Sequence, residues 1–251
     1  MKINLAKTPT SAPKKLHKET IKKETQKLKI CIGELQNILY AQGKYALLIV
    51  LQGMDASGKD GVVKNVFDAV NPAGCSVIGF KKPTEIEMKH DFLWRIHQNV
   101  PAKGMIHIFN RSHYEDVLIQ RVHKWIDEKT VKQRMNQIND FEQMLVENST
   151  IVLKFFLHVS KEKQLERLEE RISDPTKNWK YNAGDMKERE FWNDYQKAYE
   201  DVLEKCNDAV EWTIAPADQN WYKEYVISKK IVDTLEKLDL AYPKIETEAE
   251  K

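Results

Sequence analysis

Gly53-Met54-Asp55-Ala56-Ser57-Gly58-Lys59-Asp60-Gly61 follows an apolar run at residues 45–51 and opens onto a helix-like segment at 62–70. A buried strand that ends in a Gly-rich turn aims several backbone N–H groups, and the positive end of the next helix, at one point where a phosphate can sit. The spacing is G-x-x-x-x-G-K, so Lys59 is expected at a β/γ-phosphate, with Gly53, Ala56, Ser57, Gly58, Asp60 and Gly61 forming the cradle. The Ser or Thr that usually follows the lysine to hold Mg²⁺ is replaced by Asp60. With Asp55 there are two carboxylates in the loop, and both are expected metal ligands. An unliganded Gly-rich turn is the competing reading, which the strand and helix on either side disfavour.

Working outward, apolar segments at 45–51, 75–80, 105–109, 151–159 and 210–215 alternate with helical periodicity at 60–70, 85–99, 113–125, 130–148, 160–172, 186–206 and about 220–239. This alternation predicts an α/β fold with an open, doubly wound parallel sheet and ligands bound outside the carboxyl ends of its strands. No repeat or composition shift marks a linker, so residues 41–242 are expected to form one domain. Ahead of it, residues 1–13 read as a flexible arm and 14–40 as an amphipathic helix, with Leu16, Ile21, Leu28, Ile32, Leu35 and Leu39 at roughly helical spacing. The lysines of that helix are expected to face solvent, and its apolar stripe to serve a contact in a homo-oligomer, a dimer or tetramer. The acidic tail, 243–251, is expected to fray.

The net charge of +2 announces neither a nucleic-acid nor a membrane partner, so any anion site must be local. Cys31, Cys75 and Cys206 are far apart and odd in number, which argues against a disulfide framework or a zinc cluster and fits a reducing cytoplasm. No stretch approaches the ~20 apolar residues of a membrane span.

Two more clusters fall near predicted strand ends. In the first, residues 105–109 run into Asn110-Arg111-Ser112-His113-Tyr114-Glu115-Asp116. An acid usually holds Mg²⁺ at this position of a P-loop enzyme. Here the residue is Asn110, so Asp55 is expected to supply the charge, Arg111 to touch a transferring phosphoryl group and Glu115 to orient it or a metal-bound water. Helix capping by Asn110 and Ser112 is the plainer alternative. In the second, Arg167 and Arg171 lie four apart on one helix face, ahead of Pro175 and the segment with Lys177, Trp179 and Lys180. This pattern suits an Arg-bearing lid over about 165–190 that excludes water during transfer. Exposed arginines matched to Glu166, Glu169 and Glu170 would explain it as simply. Lys81 and Lys82, just before Pro83, are candidate cations for an anion longer than a nucleotide.

Taken together, GMDASGKDG, FNRSHYEDVL and ERISDPTKNWK resemble the polyphosphate kinase type 2 family, over about residues 15 to 242. The resemblance implies a P-loop kinase-like three-layer fold with a five-stranded parallel sheet and a helical lid, and transfer of the terminal phosphoryl of inorganic polyphosphate to adenine or guanine nucleotides with Mg²⁺. It implies that Asp55 binds the metal, that Lys59 and Arg111 contact phosphates, and that Arg167 or Arg171 acts from the lid. Asn110 resembles the subgroup, class III, that accepts both nucleoside mono- and diphosphates. A groove lined by Lys59, Lys64, Lys81, Lys82, Arg111 and Arg121 is expected to hold the polyanion. An ATP-dependent nucleoside monophosphate kinase and a non-catalytic nucleotide switch are the rival readings.

Overall fold

The computed structural model describes residues 2–244; the last seven residues of the expected tail lie outside them. Five strands form one parallel sheet: β1 (Ala46–Gln52), β2 (Cys75–Gly79), β3 (Ile106–Asn110), β4 (Thr150–His158) and β5 (Trp212–Pro216). Their order is β2-β3-β1-β4-β5. The chain leaves β1 toward one edge and returns to β4 on the other side. The crevice outside the carboxyl end of β1 is therefore the switch point where ligands bind in such sheets. All of β1 is buried, which is why residues 45–51 are apolar without alternation.

The long helices are α1 (Lys18–Gln42), α5 (Glu128–Glu147), α6 (Lys161–Ser173), α8 (Trp192–Lys205) and α9 (Asn220–Leu235), and the shorter ones α2 (Lys59–Val66), α3 (Trp94–His97), α4 (Ile119–Val122) and α7 (Ala183–Glu188). Local chemistry sets several ends. Asp127 accepts from the Thr130 N–H at 2.8 Å to start α5, Ser160 accepts from the Lys163 N–H at 3.1 Å to start α6, and α1 stops at the left-handed Gly43. On β4, Lys154 and Phe156 point toward α5 and α8, where they meet Glu142 and Tyr199. Strand alternation leaves Leu153, Phe155 and Leu157 for the face on which α9 packs.

Three expectations change. Residues 2–12 are packed, not a loose arm: Leu5 is in the core, its N–H donates to Glu200 at 2.8 Å and its carbonyl lies 3.0 Å from the His158 ring, while Thr10 and Ser11 donate to Asp218. Side chains on distant elements supply the partners, so local composition could not reveal the order. The apolar stripe of α1 is covered within the chain, by α9, and does not form a free subunit surface. Helical periodicity at 85–99 and 113–125 resolves into short turns around α3 and α4, because side-chain anchors such as Arg95 to Asp116 and the Lys81 carbonyl hold the backbone in separate bends.

Candidate active site

The loop after β1 is built by three unusual backbone conformations. Gly53 is at φ +154°, where a Cβ would press against the Leu157 carbonyl at 2.7 Å, Ala56 is left-handed at φ 58°, and Gly58 is at φ +95°. Such conformations persist only where the surroundings over-determine them. Lys59 then opens α2 and folds its ammonium back onto the carbonyls of Gly53 at 2.7 Å and Met54 at 3.3 Å. Burial, followed by the neighbouring Arg111 guanidinium, lowers its pKa to about 8.

Arg111, at the end of β3, is also left-handed, at φ 65°, and its N–H donates to the Leu51 carbonyl. This conformation turns the guanidinium onto Asp55, 2.7 Å away. Glu115 lies close to both cations; burial raises its carboxyl above the usual range, opposed by Arg111 and Lys59. Asp60 accepts from Asn110 at 2.8 Å and pairs with Lys180 at 2.8 Å. Burial alone would raise the Asp60 carboxyl, but hydrogen bonds from Lys180 and Asn110 hold it below its ordinary value.

Two chambers meet at the Asp55–Arg111 pair. The larger, about 610 Å³, is lined by Gly58, Lys59, Asp60, Gly61, Lys81, Asn110, Arg171, Lys177, Lys180 and Lys223 among others. The smaller, about 230 Å³, lies between α7 and α8 and presents Glu115, Asp185, Glu188, Tyr195 and Tyr199. One chamber is rich in cations and the other in carboxylates and phenols.

The structure separates several residues that the sequence grouped. Arg121 is tied to Glu128 and Asp201, at 2.8 and 2.7 Å, and faces a different cavity. Lys64 is exposed on the outer side of α2, because Val62 and Val66 set the buried face. Lys81 lines the larger chamber but its neighbour Lys82 does not. Gly53 lines the smaller chamber, and Ser57 is fully buried under the loop. Arg167, expected on a free lid, grips the loop from below: it donates to the carbonyls of Ala56 at 2.9 Å, Ser57 at 3.2 Å and Ala217 at 2.7 Å. The first half of α6 is thus part of the body. Arg171 is held by Asp185 at 2.6 Å, and Lys177 by Glu170 and Asp174. Of the α1 lysines expected to face solvent, Lys18 and Lys22 are exposed, at the edge of a cavity behind the loop, whereas Lys29 is buried and pairs with Asp68 at 2.6 Å.

Sequence reasoning missed Lys223, which lines the larger chamber, and Asp185 and Asn182, which line both. For Lys223 a signal existed: it occupies the same i, i+4 stripe as Ile227, Ile231 and Leu235, the buried face of α9. A lysine on an apolar stripe needs a reason to be there.

The model of the polyphosphate kinase 2 (PPK2) family matches residues 15–243. The chain belongs to the polyphosphate kinase 2 family. This PPK2-family chain is 48% identical over 221 residues to the AMP/ADP-polyphosphate phosphotransferase of Meiothermus ruber, covering 88% of the chain and 83% of that relative. It is 39% identical to the ADP-polyphosphate phosphotransferase of Rhodopseudomonas palustris, covering 96% and 89%. Its fold superposes on the crystal structure of polyphosphate kinase 2 from Arthrobacter aurescens TC1 with a TM-score of 0.94 at 40% identity, over 98% of the chain and 89% of that structure. The expected P-loop kinase-like architecture is the fold of this PPK2-family chain. No described helix is long and apolar enough to cross a membrane.

Proposed function

We propose that the chain is a polyphosphate:nucleotide phosphotransferase that moves the terminal phosphoryl of inorganic polyphosphate to AMP or ADP, or to GMP or GDP, in a reversible reaction. The observation that carries this reading is the contrast between the two chambers and their common wall at Asp55–Arg111. The cationic chamber suits a linear polyanion. The carboxylate- and tyrosine-lined chamber suits the acceptor, with hydrogen-bond acceptors and aromatic rings for a nucleoside. The names of the Meiothermus and Rhodopseudomonas relatives support the same pair of substrates, and the resemblance of Asn110 to the mono- and diphosphate subgroup supports the broader acceptor range.

In this reaction an acceptor phosphate oxygen attacks the terminal phosphorus and the P–O bond to the chain breaks, so one phosphoanhydride replaces another. The transition state is loose, and the protein's task is positioning and neutralisation of charge. Lys59 and the loop N–H groups hold the donor, Arg111 faces the phosphoryl in flight, and Arg171, Lys177 and Lys180 close over it. Glu115, whose charge acts on Arg111 and Lys59, serves to orient Arg111.

Mg²⁺ fits the donor set. Among the described residues no three His, Cys, Asp or Glu side chains converge into a protein-only metal cage, but Mg²⁺ characteristically uses one or two carboxylates with substrate phosphates and water. Asp55 and Asp60 flank the cradle and would hold it there, where it would neutralise charge on the transferring phosphates. Asn110, engaged with Asp60, then serves to orient that carboxylate. Free cysteines and nucleotide substrates support a cytoplasmic site of action. For a homo-oligomer, the exposed Ile30 and Tyr40 on α1 are the apolar residues left for a contact, and a mass measurement in solution tests it.

Purified protein given AMP or ADP, polyphosphate and Mg²⁺, with no other phosphoryl donor, is expected to yield ADP and ATP. Product formed only when ATP is the donor would replace this reading with an ATP-dependent nucleoside monophosphate kinase; single-turnover hydrolysis alone would point to a nucleotide switch.

A further inference from the structure

Lys223 has no surface exposure, yet among the described residues none of its hydrogen-bond partners is a carboxylate. Its ammonium donates to Asn220 Oδ1 at 3.0 Å, to the Gly58 carbonyl at 3.2 Å and, at the limit, to the Ser57 carbonyl at 3.5 Å. It sits under the turn that starts α2: a Cβ on Gly58 would be 2.3 Å from the ammonium nitrogen. Arg167 grips the Ala56 and Ser57 carbonyls beside it. The loop therefore rests on two cations that came from α6 and α9, and Lys223 also lines the larger chamber.

Burying an ammonium against neutral oxygens is costly, and the cost is normally met with a carboxylate. Here the nearest acid on the same helix, Glu224, is engaged by Asn65 at 2.7 Å. We propose that Lys223 is a second phosphate-loop lysine, a positioning residue that fixes Ser57 and Gly58 from beneath and whose charge is balanced by the polyanionic donor, not by the protein. This rests on the polyphosphate reading above. Burial, with the Arg167 charge next, lowers the Lys223 pKa to about 7, as expected for a cation whose counter-charge arrives with a ligand. Arg167 and Lys59 are the cations that face it and Glu224 the acid.

The test uses full-length wild type, Lys223→Met and Lys223→Arg, with thermal melts with and without polyphosphate and steady-state kinetics in the donor. Lys223→Met, nearly isosteric and uncharged, is expected to melt higher than wild type without ligand, to gain less from added polyphosphate, and to raise the donor KM about tenfold through the loss of a positive charge beneath the loop, with a smaller fall in kcat. The donor KM should also depend less steeply on salt. Lys223→Arg is expected to recover part of the donor affinity. A Lys223→Met protein that melts lower, with donor KM and polyphosphate stabilisation unchanged, overturns the assignment and makes Lys223 a structural residue. A wild type that neither melts higher with polyphosphate nor turns it over overturns the functional reading, and this inference with it. Wild-type turnover with an unaltered variant overturns only the role of Lys223.

Discussion

Lys154 and Lys223 are both wholly buried, on β4 and α9, and their surroundings differ in one respect. Lys154 brings its own counter-ion: Glu142 lies 2.6 Å away, Tyr114 Oη and the Cys206 carbonyl at 2.9 and 2.8 Å, and the Tyr114 and Trp212 rings flank the ammonium. His113 adds a contact to Glu142 at 3.2 Å. Every hydrogen on that ammonium is spoken for inside the protein. Among the described residues Lys223 donates only to neutral oxygens, and it borders a chamber. A closed pair serves the fold, whereas an open cation under a phosphate loop serves a ligand. The closed network also has a functional consequence, because His113 and Tyr114 lie two and three residues after Arg111 and anchor the turn that aims it at Asp55.

The strongest way to break this comparison is Lys154→Met. It takes the lysine away from the buried Glu142 carboxylate, which keeps only His113 and the Tyr114 hydroxyl as partners, and is expected to cost about 3–5 kcal/mol, read as a shift in the urea midpoint. If that variant is as stable as wild type, the closed network is not structural and the contrast with Lys223 fails. The pair at the wall of the two chambers, Asp55–Arg111, is more exposed than either lysine and should act on chemistry more than on stability. Asp55→Asn is expected to lower kcat by about 10²–10³, a range typical of losing one preorganised electrostatic group, and to raise the Mg²⁺ requirement; unchanged kinetics would remove the metal assignment.

pH sharpens the contrast further. The folded-state pKa of Lys223, about 7, lies below the ~10.4 of an unfolded lysine. Between those values the unfolded chain binds more protons than the folded one, so stability of the ligand-free protein should rise with pH from about 7 toward 10. Lys59, at about 8, has the same sign and begins to contribute about one pH unit higher. Urea unfolding at pH 7 and 8 should show the first part of the rise in wild type and lose it in Lys223→Met. The smallest expected effect separates neighbours. Lys81→Ala, at the rim of the larger chamber, should raise the donor KM about threefold, while Lys82→Ala, outside it, should stay within the ~0.5 kcal/mol typical of surface changes in both kinetics and stability.

The phosphate loop was legible because its chemistry is local. A strand, a Gly-rich turn and a helix are consecutive in the chain, and the glycines are needed where φ is positive, as at Gly58. The strand segments were legible for a similar reason, since each is a short, mainly apolar run between turns. Charged residues were less so, because a side chain's partner is set by contacts far away in sequence. Arg121, Lys64 and Lys82 looked like Lys59 on the page, and only the positions of Glu128, Asp201 and the buried faces of the helices removed them from the site. The packed N-terminal arm escaped notice because its partners, Glu200 and Asp218, are about 200 residues away.

By itself, the order of residues determined the α/β alternation, the phosphate loop, the acidic substitution after its lysine and the family, since all of these depend on neighbours along the chain or on motifs a few residues long. Tertiary structure alone decided the order of strands, the placement of Arg111 on Asp55, the conversion of Arg167 from a lid residue into a support of the loop, and the difference between Lys154 and Lys223. The physical reason is that a charge has no fixed meaning until its surroundings are known: burial sets its cost, and the carboxylate or carbonyl that folding brings to it decides whether the charge is already balanced or left for a ligand.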